Sequence, residues 1–328
     1  MRVSLDTGAI TPLDQNRGIG VYANEMCRHL PKYVQVTDND PEIIHNLVFK
    51  LFHPAKLPAP GLVVITVHDL IPLKYPQAYP PGIKGRLTWW RQKNQLRQAA
   101  GIITDSQASK QDIIKFTGIN EDKIFVVYLA VDEVFKPVKA VNKYSLPNKF
   151  ALYVGDLNWN KNVVSLTKAC ISLKIPLVVV GRQAVVTDYD HSHPETSELV
   201  KFQRLAKKYP KRIIRLGTVP LRDLAAIYNL ATVYVQPSRY EGFGLPVLEA
   251  LSCGCPVLSS GAGSLPEITG QACLHFSQKN LKLVWQNADL RSKLTQAGLA
   301  QAKKFTWQKT VRQTVAVYEK IIADSFNH

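Results

Sequence analysis

Short apolar runs alternate with longer amphipathic stretches along most of the chain. Residues 61–67 and 101–104 are nearly continuous apolar runs, which is typical of parallel strands buried on both faces. Between such runs, apolar residues recur at helical spacing, as over residues 82–100 and 163–173. This alternation predicts an α/β fold with parallel sheets.

The same alternation occurs twice, in two successive blocks. A strand predicted over 124–129 ends the first block, and a strand over 150–154 begins the second. The polar, proline-containing segment 133–148 between them predicts a linker. Two doubly wound domains facing a central cleft therefore follow from the pattern.

Charge narrows the choice of partners. The 328 residues carry a formal net charge of +16, with 17 basic and 13 acidic side chains in residues 1–140 and 24 and 12 in residues 141–328. A basic chain suggests nucleic acid, an anionic membrane surface or a phosphate-rich small molecule. The charges are scattered, and no zinc-finger or RNA-binding aromatic signature is present, so nucleic acid is not favoured.

Cysteine usage and hydropathy indicate a location. Five cysteines without paired spacing argue against a disulfide framework. The N-terminus lacks the apolar core of a signal peptide, and no run of 18 apolar residues occurs, so we expect neither a leader nor a transmembrane helix. We expect a cytoplasmic protein, which peripheral attachment could hold at the inner face of the plasma membrane.

Two segments carry alternative interpretations. The predicted helix over 82–100 contains five basic residues, two tryptophans and no acid, which suits an anionic membrane interface. The commoner interpretation is a packed helix with a solvated basic side and tryptophans in the core. His191 and His193 could ligate a metal, but no acidic or cysteine cluster matches them, which favours an exposed loop.

Residues able to bind a ligand follow the predicted strands. His68 and Asp69 come after the strand 61–67, where ligands bind in open parallel sheets. A polar segment, 11–17, precedes Gly18 and Gly20, two glycines placed just before a predicted helix that allow close backbone approach to an anion.

The most informative stretch is residues 234–256. Glu241 and Glu249 flank a glycine loop (Gly242, Gly244) that opens a helix, with Pro246 expected at the first helical position. A glycine loop leading into a helix N-terminus suits a phosphate-bearing ligand. Two ordinary surface glutamates around a turn are the alternative.

Residues 241–249 (EGFGLPVLE) resemble the E-x7-E motif of retaining glycosyltransferases of family 4, which have the two-domain GT-B fold. Other segments resemble that family and come in the family's order. They are the N-terminal glycine loop 18–22, the histidine segment 66–72 of mannosyltransferase-like members, the serine loop 104–113, the phosphate loop 153–162, the nucleobase segment 216–219, and the segments 237–240 and 254–257.

The resemblance implies two Rossmann-like domains and a hexose transfer from a nucleotide-diphosphate sugar with retention at the anomeric carbon. Mannose from GDP-mannose is favoured by the histidine segment, and UDP-glucose and UDP-N-acetylglucosamine stay open. The acceptor would be a glycan or lipid-linked hydroxyl in cell-surface glycan or glycolipid synthesis. The expected organisation is an acceptor-side domain over 1–140, a nucleotide-sugar domain over 141–305, and a helix over 306–328 packing on the first domain.

The resemblance also implies roles for individual residues. Glu241, His68 and Lys161 would act at the reacting centre, and His68, Asp69 and Ser106 would face the acceptor. The expected donor-binding set is Gly18, Gly20, Gly155, Lys161, Val219, Gly242, Phe243, Gly244, Leu245 and Glu249, with Glu249 on the ribose hydroxyls. No metal and no cofactor is expected, because Lys161 and loop amides would neutralise the diphosphate.

Two positions of the phosphate loop depart from the family pattern. Many members have arginine after the glycine, where this chain has Asp156, and arginine before the lysine, where it has Asn160. An acid near a diphosphate is repulsive. We expect Asp156 to point away. The alternatives from other classes are a catalytically inactive nucleotide- or glycan-binding GT-B protein and a dinucleotide-dependent oxidoreductase, whose G-x-G-x-x-G fingerprint is incomplete here.

Overall fold

The computed structural model describes residues 1–8, 10, 18–53 and 61–326. The predicted polar loop 11–17 and most of the proline-rich stretch before Gly61 lie outside the described residues. The chain divides into two compact units, one formed by residues 1–130 and 305–328 and the other by residues 131–304.

The first unit is built on a six-stranded parallel sheet in the order β2-β1-β3-β4-β5-β6. Its elements in chain order are β1 (Arg2–Asp6), α1 (Gly18–His29), β2 (Gln35–Val36), β3 (Ile43–Asn46), β4 (Leu62–Thr66), α2 (Ile71–Lys74), α3 (Gly82–Gln98), β5 (Gly101–Thr104), α4 (Gln107–Thr117) and β6 (Ile124–Val126).

The second unit also contains a six-stranded parallel sheet, ordered β12-β11-β10-β7-β8-β9. Its elements are β7 (Ala151–Val154), α5 (Val163–Ser172), β8 (Leu177–Val180), α6 (Arg182–Val185), α7 (Ser197–Lys208), β9 (Ile213–Leu216), α8 (Leu221–Leu230), β10 (Val233–Gln236), α9 (Leu245–Ser252), β11 (Val257–Ser259), α10 (Leu265–Thr269), β12 (Cys273–His275), α11 (Gln278–Gln286) and α12 (Ala288–Ala302). The last helix, α13 (Trp307–Ser325), belongs to the first unit.

Strand order fixes where each sheet can bind a ligand. In an open parallel sheet the crevice lies at the carboxyl ends of the two strands between which the winding direction reverses. In the second unit these strands are β7 and β10, which pair with Val233 opposite Ala151. In the first unit they are β1 and β3. The predicted α/β class with doubly wound parallel sheets is confirmed.

Several predicted details were wrong, for local reasons. Gly18 and Gly20 lie inside the first turn of α1 instead of preceding the helix. The sequence predicts a helix over 109–116 with Ser109 as its N-cap, but the cap of α4 is Ser106, whose hydroxyl accepts the Ser109 amide at 3.0 Å. Pro246 lies at the second position of α9. Trp90 is 65% exposed, against the interpretation that places the tryptophans of α3 in the core.

A buried polar chain ties α13 to the sheet of the first unit. His45 on β3 is bonded through Nδ1 to the Tyr318 hydroxyl at 2.5 Å and through Nε2 to the Thr66 hydroxyl at 2.8 Å. Thr66 in turn bonds the Tyr22 hydroxyl at 3.0 Å. Burial, helped by the nearby His68, lowers the pKa of His45 to about 3, so the ring stays neutral with both nitrogens bonded.

The hydrogen-bond network around His45 predicts an effect on stability. Tyr318→Phe leaves Nδ1 of the buried His45 without a partner, so we expect the free energy of unfolding to fall by about 1–3 kcal/mol in urea denaturation. Tyr33→Phe is the matched control, because its ring is 40% exposed and the change should stay within about 0.5 kcal/mol. Equal effects of the two substitutions would contradict the assignment.

Candidate functional site

Two loops meet at the carboxyl ends of β7 and β8 in the second unit. Gly155 follows β7 with φ 136°, and Gly181 follows β8 with φ 149°. A Cβ added to Gly181 would lie 2.4 Å from the Gly155 carbonyl oxygen, so only glycine lets the two loops approach this closely. The Tyr153 hydroxyl also donates to the main-chain oxygen of Asp156 at 2.6 Å, which fixes the start of the loop.

An ion pair lies at the carboxyl ends of β7 and β10. Lys161, at the end of a 3-10 turn after β7, donates through Nζ to both oxygens of Glu241 at 2.9 and 2.7 Å. The Glu241 side chain is 8% exposed and that of Lys161 is 23% exposed. The structure therefore brings together two residues that the sequence predicts at the reacting centre, although they are 80 positions apart.

The Glu241 carboxylate has two further donors from the end of β10. Its Oε1 accepts the Ser238 hydroxyl at 2.6 Å and the Gln236 amide nitrogen at 2.9 Å. A buried carboxylate is expensive unless it is paired and hydrogen-bonded, and here it is both. Neither Gln236 nor Ser238 was predicted as a site residue, although Ser238 lies in the family-like segment 237–240.

The glycine loop after Glu241 is shaped by the segment that precedes α10. A Cβ on Gly263 would lie 2.4 Å from the Glu241 carbonyl oxygen, and the Ser264 hydroxyl donates to the Phe243 oxygen at 2.7 Å. Gly244 is the N-cap of α9 with φ 99°. Because this loop leads directly into α9, its amides lie at the positive end of a helix dipole.

Glu249 lies on α9, one turn beyond the loop. The buried Tyr228 hydroxyl donates to its Oε2 at 2.8 Å. Burial raises the pKa of Glu249 to about 7, although the Tyr228 bond acts in the opposite direction. Val219 follows the edge strand β9, so two strands separate it from the strand that leads to Glu249.

A second cluster lies in the first unit, after β4 and β5. His68 Nδ1 is 2.6 Å from Asp105 Oδ2, and the ring of Tyr22 meets the His68 ring edge-on with centroids 5.0 Å apart. Burial favours the neutral ring, but the charge and hydrogen bond of Asp105 outweigh it and raise the pKa of His68. Within the described chain, His68 Nε2 and Asp105 Oδ1 are buried without a hydrogen-bond partner.

The neighbouring predicted residues have structural bonds of their own. Asp69 accepts the Ile71 amide at 3.0 Å at the start of α2, and Ser106 caps α4. Ser109 donates to the His68 carbonyl at 2.9 Å, which fixes the backbone beside the ring. An acceptor-side role for Asp69 and Ser106 stays a prediction, as does a donor role for Gly18 and Gly20.

Asp105 was missed from the sequence, although its position was visible there. It directly follows β5, and β5 pairs with β4, which precedes His68. Because carboxyl ends of adjacent parallel strands meet at one edge, a carboxylate after β5 is expected near a histidine after β4. This rule would have paired the two residues.

Asp-x-Asp triplets, which can bind a metal ion, occur at residues 38–40 and 188–190. In each triplet, aspartate side chains bond to other side chains or amides of the protein. Asp38 accepts the Ser4 hydroxyl at 2.6 Å, and Asp40 pairs with Arg2 at 3.0 Å. Asp190 accepts the Ser192 amide and hydroxyl, which lowers its pKa. Among the described residues, no group of three or more histidine, cysteine or acidic side chains is arranged to hold a metal ion.

Two family models match the chain. The model described as Glycosyltransferase Family 4 matches residues 26–135, and that described as Glycosyl transferases group 1 matches residues 134–282. The O-antigen chain mannosyltransferase B of Escherichia coli is 32% identical over 279 residues, covering 78% of this chain and 70% of that protein. This chain belongs to the group 1 glycosyl transferases. The resemblance in the sequence motifs is confirmed.

Other relatives of this glycosyl transferase differ in length. The serotype-specific mannosyltransferase WbdA of Escherichia coli is 29% identical over 317 residues, which cover 89% of this chain and 38% of WbdA. This chain therefore spans well under half the length of that relative.

Solved structures show the fold. Anabaena HepE in complex with UDP and glucose superposes with a TM-score of 0.72 at 16% identity, covering 97% of this chain and 99% of that one. WaaG, a glycosyltransferase involved in lipopolysaccharide biosynthesis, gives 0.70 at 14% identity over 97% of this chain and 99% of that one. The GT-B expectation for this glycosyl transferase is confirmed.

Proposed function

We propose that this glycosyl transferase moves a hexose, mannose from GDP-mannose, to a hydroxyl of a glycan or lipid-linked acceptor in cell-surface glycan or glycolipid synthesis. Retention of configuration at the anomeric carbon is part of the proposal. Two relatives named as mannosyltransferases, at 32% and 29% identity, support mannose as the sugar. UDP-glucose and UDP-N-acetylglucosamine are the competing donors.

The Lys161–Glu241 pair at the switch point is the observation that carries the proposal. A departing nucleoside diphosphate needs cations and backbone N–H donors, aimed in advance at the charge that develops. Lys161 is held in place by Glu241, and the amides of the Gly242–Leu245 loop lie at the N-terminus of α9. These groups suit the leaving diphosphate without a metal.

Glu241 fits a stabilising role better than a nucleophilic one. Its oxygens already accept from Lys161, Ser238 and Gln236, and such bonds lower the nucleophilicity of a carboxylate. A buried negative charge near the reacting sugar still favours a positively charged transition state. We propose that Glu241 positions Lys161 and stabilises the oxocarbenium-like sugar.

The cluster around His68 in the first unit has its own role in the proposal. His68 is buried and bonded to Asp105, and the proposed role of this pair is to orient a sugar or acceptor hydroxyl. The proposed location is the cytoplasm, with peripheral attachment at the inner face of the plasma membrane. The five free cysteines fit a reducing compartment, and no described helix meets the length and hydropathy needed to span a bilayer.

Glu249→Gln tests the ribose role. The folded state holds a proton on Glu249 up to about pH 7, whereas the unfolded carboxyl titrates near 4.3, so this group makes the fold less stable as pH rises through that interval. The variant should lose that pH dependence. Above pH 7, where Glu249 is ionised, it should also bind nucleotide about tenfold more weakly than the wild type, because a neutral amide accepts weaker hydrogen bonds than a carboxylate. Calorimetric titration and melting across pH measure both effects.

Glu133→Gln is the matched control, since Glu133 is exposed in the same unit. It should change neither nucleotide affinity nor the pH dependence of melting. Unchanged affinity in Glu249→Gln would remove Glu249 from the donor site.

Removal of metal tests the role assigned to Lys161. After chelation of divalent cations, turnover of nucleotide sugar should stay within about twofold of the untreated protein, because a lysine and loop amides balance the diphosphate. A large loss that Mg²⁺ or Mn²⁺ restores would show that these groups are insufficient.

A thermal-shift screen with GDP, UDP and ADP tests the function as a whole. We expect GDP to stabilise the protein by about 2.7 kcal/mol at a concentration of about 100 times its Kd. Stabilisation by UDP alone would indicate UDP-glucose or UDP-N-acetylglucosamine as the donor in place of GDP-mannose. If no nucleotide raises the melting temperature, the proposal of a nucleotide-sugar enzyme is wrong.

A further inference from the structure

Helix α3 of the first unit leaves an apolar stripe in solvent. Ile83, Leu87 and Trp90 are 82%, 62% and 65% exposed. With about 100° between successive residues of an α-helix, the three side chains lie within an arc of about 60°. Large apolar side chains grouped on one exposed face mark an interaction surface.

Basic side chains flank this stripe on both sides. Lys84 and Arg91 lie on one side at helical spacing, Arg86 lies on the other, and all three are exposed. No acidic residue occurs between Asp69 and Asp105, and no carboxylate of the described chain pairs with these three side chains. We define the α3 surface as Ile83, Lys84, Arg86, Leu87, Trp90 and Arg91.

The opposite face of α3 packs against the first unit. The exposed apolar side chains are therefore not core residues that a small rotation of the helix would bury. Gln92 is buried, donates to the carbonyls of Lys50 and His53 at 2.8 Å, and accepts the Phe52 amide at 2.9 Å. Leu96 is buried in the apolar cluster under the helix, against which Trp89 packs. The rotation of α3 about its axis is therefore set.

We propose that the α3 surface docks on an anionic lipid bilayer. A helix with an apolar stripe containing tryptophan and with basic flanks lies in the plane of a membrane interface, its apolar residues among the acyl chains and its cations among the phosphates. Charge complementarity selects this occupant over a second copy of the chain, because two such surfaces would bring like charges together.

The orientation of α3 places this surface near the predicted acceptor residues. The helix follows the loop that carries His68 after β4, and Ala100 at its far end bonds the Val63 carbonyl on β4. A crossover helix runs antiparallel to its strands, so the first turns of α3, with the exposed residues, lie toward the carboxyl edge of the sheet. A membrane docked there brings lipid-linked hydroxyls to the edge where His68 lies.

Vesicle flotation of the full chain tests the proposal at low salt. We expect the protein to float with vesicles of equimolar phosphatidylcholine and phosphatidylglycerol, and not with phosphatidylcholine alone. Each basic side chain near an anionic surface strengthens binding by about fivefold, so the double variant Lys84→Glu/Arg91→Glu should weaken binding by about 20-fold or more. Leu87→Ser/Trp90→Ser should weaken it by a similar factor.

Matched controls come from the second unit. Lys201→Glu/Lys207→Glu changes the net charge equally at exposed positions of α7, and Leu283→Ser removes a 44% exposed leucine. Both should float like the wild type. Brominated phospholipid should quench tryptophan fluorescence in the wild type and much less in Trp90→Phe, which keeps an aromatic anchor.

Several outcomes would overturn the proposal. They are no flotation with anionic vesicles, equal losses in the α7 controls, or a dimer in solution that Trp90→Ser dissociates. Preferential binding to single-stranded nucleic acid that the α3 variants abolish, without vesicle binding, would also do so. Donor and acceptor are absent from these assays, so a negative result leaves the proposed transfer reaction standing.

Discussion

Lys161→Ala should lower nucleotide-sugar turnover by about 100- to 1,000-fold, as expected when one preorganised donor to a developing anion is removed. The same change leaves the buried Glu241 carboxylate without its cation, which costs about 3–5 kcal/mol of stability. Turnover measured by nucleotide release, together with the melting temperature, reports both effects. Lys168→Ala, an exposed lysine on α5, is the control and should change neither.

A double variant separates chemistry from folding. Lys161→Met/Glu241→Gln removes both charges of the pair, so most of the lost stability should return. Turnover should stay as low as in Lys161→Ala, because the cation for the diphosphate is still missing. Recovery of turnover along with stability would show that Lys161 acts only in the fold.

Asp105→Asn should lower turnover by about 10- to 100-fold, although Asp105 was not among the site residues predicted from the sequence. The amide lacks the charge that keeps the pKa of His68 raised, so burial of the ring should dominate and the pKa should fall. Because His68 is more basic in the folded state, the pair contributes stability below the unfolded pKa and loses it as pH rises through the folded value. The Asp105→Asn variant should lack that pH dependence.

NMR titration of the histidine ring, with turnover across pH, measures this effect. Asp112→Asn is the control, because Asp112 is also buried in the first unit but pairs with Lys74 at 2.7 Å. It should cost stability without moving the His68 pKa. A His68 titration unchanged in Asp105→Asn would mean that the carboxylate does not set the state of the ring.

Strand–helix alternation was sufficient to predict most of the fold. Strand β5 was predicted with the bounds observed, because buried parallel strands are short apolar runs that end at polar or glycine residues. No strand was predicted within residues 34–60. Strand β2 there has two exposed residues, so no apolar run indicates it.

The candidate site was only partly accessible from the sequence. The family resemblance identified Glu241 and Lys161 as site residues but not the ion pair between them, since the pairing depends on which strands are neighbours. Gln236, Ser238 and Asp105 were not predicted as site residues, and they are recognised from the carboxylate or the imidazole that each contacts. The exposure of Trp90 could not be predicted either. Basic residues occur around much of the circumference of α3, so the sequence pattern does not show which face of the helix packs inward.

The anomeric configuration of the product is the most direct test of the proposed reaction. The protein is incubated with GDP-α-mannose and octyl α-mannoside, and the new linkage is determined by NMR. We predict an α-linked mannose, formed with release of GDP and lost in Lys161→Ala. A β-linked product, or release of GDP that persists unchanged in Lys161→Ala, would contradict retaining transfer at the Lys161–Glu241 site.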